Sequence, residues 1–233
     1  MKKVLITGSN GFLGQHLIAK LYNYYDLYGM DRVATKNLDT DHSLVSDIGD
    51  KEKVSYIFSK VKPDIVIHLA AIVHKNSSDT SEANYNYVNY ECSKNIFDLC
   101  KLYNVSKVIF SSTIEVYGDT DEDYIDETTP VNPKSYYAKS KLLAEQYLIS
   151  LFAETKIEYA ILRLCPVYAK DFKMNIEKRV FIKPNEIAYY FKNGSYSYQF
   201  LSVNNILEFV SFLLHDRFSS GIYLLSDSVM ISA

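Results

Sequence analysis

No apolar run among the 233 residues approaches the length of a membrane span. The opening Met1-Lys2-Lys3 leads directly into a short apolar run and lacks a long apolar region with a small-residue cleavage site, so no secretory signal is expected. Neither charge is in excess: 25 Lys and Arg against 28 Asp and Glu leave a net charge of −3, which gives no reason to expect a nucleic-acid partner. Cysteine is scarce. Cys92, Cys100 and Cys165 form no C-x-x-C pair or Cys/His cluster, and Cys92 and Cys100 read as two turns apart on one helix, too far for a disulfide. A reducing cytoplasm is the expected compartment. His16, His42, His68, His74 and His215 are scattered without ligand spacing, so no metal site is expected. Internal repeats, linkers and low-complexity stretches are also absent. At 48% hydrophobic, the chain can nevertheless bury a sizeable core.

The stretch that organises the chain is its first. Val4 to Ile6 reads as a buried strand, and glycines follow at Gly8, Gly11 and Gly14. From Leu13 the apolar residues Leu17, Ile18 and Leu21 take up helical spacing. A strand, a glycine turn and a helix open a dinucleotide-binding unit. Gly8 makes the sharp turn, Gly11 admits a pyrophosphate close to the backbone, and Gly14 lets helix and strand pack tightly. The unpaired N–H groups of the helix start then face the phosphates. A plain βα turn shares this pattern. However, the next strand, Leu27 to Met30, ends in Asp31, at the spacing of a carboxylate that binds a ribose.

Strand and helix signals alternate along the rest of the chain. A short strand near Ser43 to Val45 precedes Asp47-Ile48, and Lys51 to Lys60 is helical. Ile65 to Ile67 is a strand ending in His68-Leu69-Ala70-Ala71, and a polar loop from Lys75 leads to a helix over Tyr85 to Tyr103. Val108 to Phe110 closes on Ser111-Ser112-Thr113. An acidic loop, Asp119 to Glu127, leads to a helix over Ser135 to Glu154, and Tyr159 to Leu164 is a further strand. The tyrosine-rich patches Tyr22-Tyr24-Tyr25 and Tyr85-Tyr87-Tyr90 read as packing faces of helices. Continuous apolar strands alternating with helices predict an α/β fold, a doubly wound parallel sheet covered on both faces.

A second constellation is Tyr137 and Lys141, four apart and so on one helix face. An ammonium beside a phenol favours the phenolate, which is what a base needs to take a hydroxyl proton while hydride leaves carbon. Thr113, at a strand's C-terminal end, is placed to orient the same oxygen.

These pieces together resemble the extended short-chain dehydrogenase/reductase family, the NAD-dependent nucleotide-sugar epimerases and dehydratases. The resemblance runs from Thr7 to Gly14 through Asp31, Asp47-Ile48, His68 to Ala71, Asn89, Ser111 to Gly118, Pro133, Tyr137 to Lys141 and Arg163. It covers residues 3 to 168 or so. It implies a Rossmann fold over residues 1–165 and a small substrate-binding region over 166–233, interleaved with the main domain. NAD is the implied cofactor, held at Gly8, Asn10, Gly11, Phe12, Leu13, Gly14, Asp31, Arg32, Asp47, Ile48, Leu69, Ala70, Ala71, Asn89, Ser111, Tyr137 and Lys141. Asp31 disfavours the 2′-phosphate of NADP, while neighbouring Arg32 could accept one. Thr113, Tyr137, Lys141 and Glu115 are the implied catalytic residues.

Glu115 bears on the reaction class. In the nucleotide-sugar dehydratases a glutamate here takes the C5 proton, but its acid partner would stand at 114, where this chain has Ile114. Glu115 therefore reads either as that base or as a hydrogen-bonding residue, and the expectation leans to a 4-epimerase. A keto-sugar 4-reductase, a 4,6-dehydratase and a non-catalytic NAD-binding protein stay open. After Arg163 the chain departs from the family: Cys165-Pro166 stand where an Asn is usual, and Asn204 and Asn205 replace an acidic residue. The family also implies a homodimer, formed by the helices of Tyr85 to Tyr103 and Ser135 to Glu154 as a four-helix bundle, and a role in polysaccharide or glycoconjugate assembly.

Overall fold

A computed structural model describes residues 1–73, 81–120, 124–183, 187–188 and 197–232. His74, most of the polar loop from Lys75 and residues 121–123 of the acidic loop lie outside these. Seven parallel strands form one sheet: β1 (Lys3–Thr7), β2 (Asp26–Asp31), β3 (Ser43–Val45), β4 (Ile65–His68), β5 (Lys107–Thr113), β6 (Glu158–Leu164) and Gly221–Leu225. Their spatial order is β3-β2-β1-β4-β5-β6 and then Gly221–Leu225. Chain direction across the sheet therefore reverses between β1 and β4, and such a switch point opens a crevice at the strands' carboxyl ends.

Two cores fill the faces of this sheet. In β1, Val4 and Ile6 point to one face and Leu5 to the other, as the two-residue period of a strand requires. Val4 and Ile6 pack with α1 (Phe12–Leu21) and with α7 (Val203–His215), whose Ile206, Val210 and Leu213 are buried. Leu5 faces α2 (Lys51–Val61), α4 (Cys92–Leu102) and α5 (Tyr136–Phe152) through Val54, Phe58, Ile96, Phe97 and Ala144. Lys107 on β5 shares the α7 face with Ile109, and its Nζ donates to the backbone oxygens of Leu213 and Asp216 at 2.8 and 2.6 Å and so closes the end of α7.

The chain after residue 165 returns to this frame. It supplies the Gly221–Leu225 strand, paired with β6, and α7, packed on α1. Ahead of α7 in the chain lie α6 (Met174–Val180) and short strands, of which Leu201–Ser202 pairs with Val167–Tyr168.

The helix expected over Tyr85 to Tyr103 is interrupted. It runs as α3 (Glu82–Tyr85), a π-helical segment Asn86–Glu91, and α4. The wider turn there is tied to Asn89, which is fully buried and bonds sideways to another segment of backbone. All three cysteines are buried and free, with Cys92 and Cys100 together on α4.

Phe97 on α4 is fully buried, with rings of His68, Phe110 and Phe152 at centroid distances of 5.6, 5.3 and 6.4 Å. Phe97→Ala should lower the unfolding free energy by about 3–5 kcal/mol in urea titration. A loss under ~1 kcal/mol would show that this face carries little of the stability.

Candidate active site

Gly8 leaves β1 with φ +68° and its N–H donates to Met30 O at 2.9 Å. A Cβ there would stand 2.8 Å from Ala70 N, so the turn after β1 and the chain after β4 approach more closely than any side chain allows. At Gly14, a Cβ would stand 2.5 Å from Gly8 O, so the first turn of α1 lies against the glycine turn itself. No side chain caps α1 at Gly11, whereas Asp50, Ser135 and Ser202 cap α2, α5 and α7. The first N–H groups of α1 thus stay available to an anion.

In front of this turn lies a cavity of about 520 Å³, lined by Gly8, Asn10, Gly11, Asp31, Arg32, Asp47, Ile48, Leu69, Ala70 and Ala71 among others. Ten of the residues anticipated at a cofactor site therefore meet here. The Asp31 carboxylate is fixed by two backbone N–H groups, Asn10 to Oδ2 at 3.0 Å and Arg32 to Oδ1 at 2.7 Å. Phe12, Leu13 and Gly14 lie behind the turn, with Phe12 stacked on Phe172 at 4.4 Å. Ser46, Ile72, Asn84, Tyr87 and Val88 also line the cavity and were not anticipated. Tyr87 is the instructive miss: helical spacing groups it with Tyr85 and Tyr90 as a packing face. Tyr85 is indeed buried, while Tyr87 turns to the cavity beside Gly49.

Asn89 does not line the cavity but holds its wall. Its Oδ1 accepts from Ile72 N at 2.9 Å, and its Nδ2 donates to Ile72 O at 3.0 Å and to Ser140 Oγ at 3.1 Å. A chain of buried bonds continues to the strand ends. Ser93 Oγ donates its one proton to Asn89 O at 2.7 Å, so it must accept from His68 Nε2 at 2.8 Å. The other ring nitrogen, Nδ1, is then bare and accepts from Thr7 Oγ1 at 2.6 Å, while Thr7 Oγ1 receives Ala70 N–H at 3.2 Å. The neutral Nε2–H tautomer follows, and burial, helped by the Lys141 charge, pushes the His68 pKa down to about 3.

Thr113, Tyr137 and Lys141 gather at the end of β5 and the first turns of α5. Tyr137 bonds to the Thr113 side chain, and the Tyr85 ring stands edge-on at 6.4 Å. Thr113 Oγ1 also accepts from Glu115 N at 3.2 Å, capping the short helix Ile114–Tyr117. Ser111 is half-buried one residue before Ser112 on β5. Lys141 is buried, its Nζ 4.3 Å from the Phe110 ring centroid. Neighbourhood on the helix suggested a phenol made acidic by the lysine. In this arrangement burial, with the Glu115 charge next, instead holds the Tyr137 hydroxyl well above its ordinary range, and burial pushes the Lys141 pKa down to about 7. Glu115 is tethered by Ser135 Oγ at 3.1 Å.

Behind Lys141 is a group that sequence reasoning passed over. Glu145 is fully buried; Arg163 Nη2 meets its Oε2 at 2.7 Å, and Ser112 Oγ donates to Oε1. A glutamate one turn beyond a Tyr-x-x-x-Lys pair is the signal that was there to find. At the opposite end, Asn205 Nδ2 reaches Asp227 Oδ1 at 2.7 Å, and Tyr168 Oη bonds Asp227 Oδ2 at 2.9 Å. The acid missing from positions 204 and 205 thus faces Asn205 from the segment after the last sheet strand. Among the described residues, no cluster of His, Cys, Asp and Glu is arranged to hold a metal, and no helix is long and apolar enough to cross a membrane.

A parallel sheet with a glycine cradle at its switch point and a Thr/Tyr/Lys cluster alongside defines an α/β protein of the Rossmann type. The chain belongs to the NAD dependent epimerase/dehydratase family, whose sequence model matches residues 4–225. It is 33% identical over 180 residues to dTDP-D-glucose 4,6-dehydratase of Homo sapiens, a match covering 72% of this chain and 51% of that protein. It is 34% identical over 173 residues to the putative UDP-glucose 4-epimerase of Methanocaldococcus jannaschii, covering 72% and 56%. The chain thus spans about half the length of these relatives. The UDP-glucose 4-epimerase of Thermus thermophilus, solved with NAD, superposes with a TM-score of 0.81 at 26% identity, over 99% of this chain and 79% of that one.

His68 gives a pH test of the wall. An unfolded histidine titrates near 6.5 and the folded one at about 3, so between these values unfolding takes up a proton. Its contribution is present above pH 6.5 and is lost as pH falls toward 3. In His68→Gln, the decline of unfolding free energy between about pH 6.5 and 4 should be shallower by up to ~1.4 kcal/mol per pH unit. Equal slopes would mean that His68 is not held neutral.

Proposed function

We propose that this chain is an NAD-dependent epimerase of nucleotide sugars, of the 4-epimerase type. The observation that carries the reading is the Thr113–Tyr137 hydrogen bond with Lys141 one turn further along α5, beside a cavity built for a dinucleotide. The residues fit NAD. Gly8 and Gly11 leave room for a pyrophosphate, the uncapped start of α1 faces it, and the Asp31 carboxylate is oriented for ribose hydroxyls. Asp47 and Ile48 would flank the adenine, Leu69 to Ala71 would form the floor, and Lys141 would bind the nicotinamide ribose, as the family resemblance implies. Asp31 favours NAD over NADP, while Arg32 is exposed on the wall of the same cavity.

When bound, NAD supplies a reversible acceptor for hydride. Thr113 would orient the sugar hydroxyl, and Tyr137 Oη would take its proton and later return it. Charged Lys141 lowers the cost of the phenolate. The buried phenol starts protonated and becomes the base only after its own proton leaves to solvent, a loss that the charged form of Lys141 favours.

Glu115 favours a second reading. Its carboxylate is tethered near Tyr137 and influences it electrostatically, as a proton acceptor in a 4,6-dehydratase would. Against this, position 114 holds an isoleucine packed on the core, which cannot protonate a leaving hydroxyl. A keto-sugar 4-reductase would use the same Thr/Tyr/Lys group. The assembly we propose is a homodimer in the cytoplasm through α4 and α5, where Leu102, Tyr136 and Leu143 stay exposed, and polysaccharide assembly is the fitting context.

The test is product analysis after incubation with NAD and UDP-, dTDP-, GDP- and CDP-sugars. Unchanged mass with one inverted carbon is the expected result; loss of water would make the enzyme a dehydratase. Tyr137→Phe should retain NAD and lose turnover by roughly 10²–10⁴-fold, and full activity in that variant would remove Tyr137 from the chemistry. Asp31→Asn should weaken NAD binding about 5- to 150-fold, the roughly 1–3 kcal/mol of a hydrogen bond to a charged group, as read by calorimetry. Unaltered affinity would place the ribose elsewhere.

A further inference from the structure

Given the assignment of Tyr137 and Lys141 above, we propose that Glu145 is a positioning residue that holds Lys141 in its ammonium form. Glu145 lies one turn beyond Lys141 on α5 and is wholly out of contact with solvent. Three contacts fix it to Arg163 on β6: Nε to Oε1 at 3.3 Å, Nε to Oε2 at 3.2 Å and Nη2 to Oε2 at 2.7 Å. The Ser112 hydroxyl, next to Thr113 on β5, donates to the same carboxylate. One anion therefore joins the three elements that carry or back the reacting group.

A buried ion pair of this kind adds little to stability by itself, since apolar residues of equal volume serve as well or better. Its place in the fold gives it another use. The other neighbours of Lys141 carry no charge: the Phe110 ring from β5, whose face lies against the amine and favours the cation, the neutral imidazole of His68 from β4, and the protonated phenol of Tyr137 on α5 itself. Arg163 is a cation behind Glu145 and opposes the ammonium, while Glu115 and Tyr85 face Tyr137 and not the amine. Burial drives Lys141 toward the neutral amine, and Glu145 is the charge that resists it. Arg163 in turn keeps Glu145 ionised and aimed, and its guanidinium carbon stands 4.8 Å from the Tyr117 ring centroid, which fixes the cation from its far side.

The experiment reads the amine directly. Wild type, Glu145→Gln and the double variant E145Q/R163M are labelled with ¹³Cε-lysine, and the Lys141 signal, assigned by its loss in Lys141→Met, is followed against pH. The double variant removes the unpaired arginine that destabilises the single one, and circular dichroism confirms that each is folded. Glu145→Gln should move the Lys141 midpoint down by about one pH unit or more, a tenfold change in its protonation equilibrium. The double variant should move it in the same direction by less, since a repelling cation leaves with the anion. With a turnover assay in hand, the pH at half-maximal kcat should move the same way, which a purely structural role would not cause. A midpoint unchanged in a folded variant overturns the proposal and leaves the epimerase reading intact. A shifted midpoint in a protein that turns over no nucleotide sugar supports the proposal and counts against that reading.

Discussion

The close approach of the chain leaving β1 to the chain leaving β4 is the constraint on which the site depends. Where the sheet order reverses, two parallel strands diverge into loops that would ordinarily keep a side chain's width apart. Gly8 removes that width, and its left-handed backbone lets the turn fold over Ala70. The dinucleotide cavity follows: its floor is the segment pressed against Gly8, and its rim is the uncapped start of α1. Buried polar bonds then hold the floor. Thr7, His68, Ser93 and Asn89 pass hydrogen bonds from β1 to α4, and Asn89 grips the backbone of Ile72.

Most of this frame was legible in the residues, for physical reasons. Strands buried on both faces are continuous apolar runs, helices announce themselves at their own period, and glycines three apart after a strand point to a dinucleotide once Asp31 follows at the end of the next strand. Asp31, Asp47 and Leu69 to Ala71 line the cavity because they sit at strand ends, and strand ends can be found from where apolar runs stop. What escaped is what depends on orientation within a helix. Spacing groups Tyr87 with Tyr85 and Tyr90 as packing, whereas Tyr87 stands in the π segment and lines the cavity. Glu145 escaped for a related reason: a charged residue on a long helix reads as solvated until the strand behind it supplies an arginine.

The Tyr137–Lys141 pair shows the distance between pattern and chemistry. Spacing places the two side chains together, but their protonation is set by burial, and burial is a property of the fold. Both groups are pushed toward neutrality. A working site must then recover the phenolate–ammonium arrangement against that pressure. The two carboxylates nearest the pair, Glu145 beside Lys141 and Glu115 beside Tyr137, pull in different directions. Glu145 favours the cation and Glu115 disfavours the phenolate.

The π segment between α3 and α4 has a consequence of its own. A wide turn is what one added residue does to a helix whose two ends are already anchored, here by Tyr85 packed on one side and Ile96 and Phe97 on the other. The surplus is absorbed locally, and neither end has to rotate by the roughly 100° that each residue of a regular helix contributes. Within the one segment, Tyr87 and Val88 can therefore turn to the cavity while Asn89 stays wholly buried and keeps its bonds to Ile72 and Ser140. A helix built this way serves pocket and core at once, one residue after another.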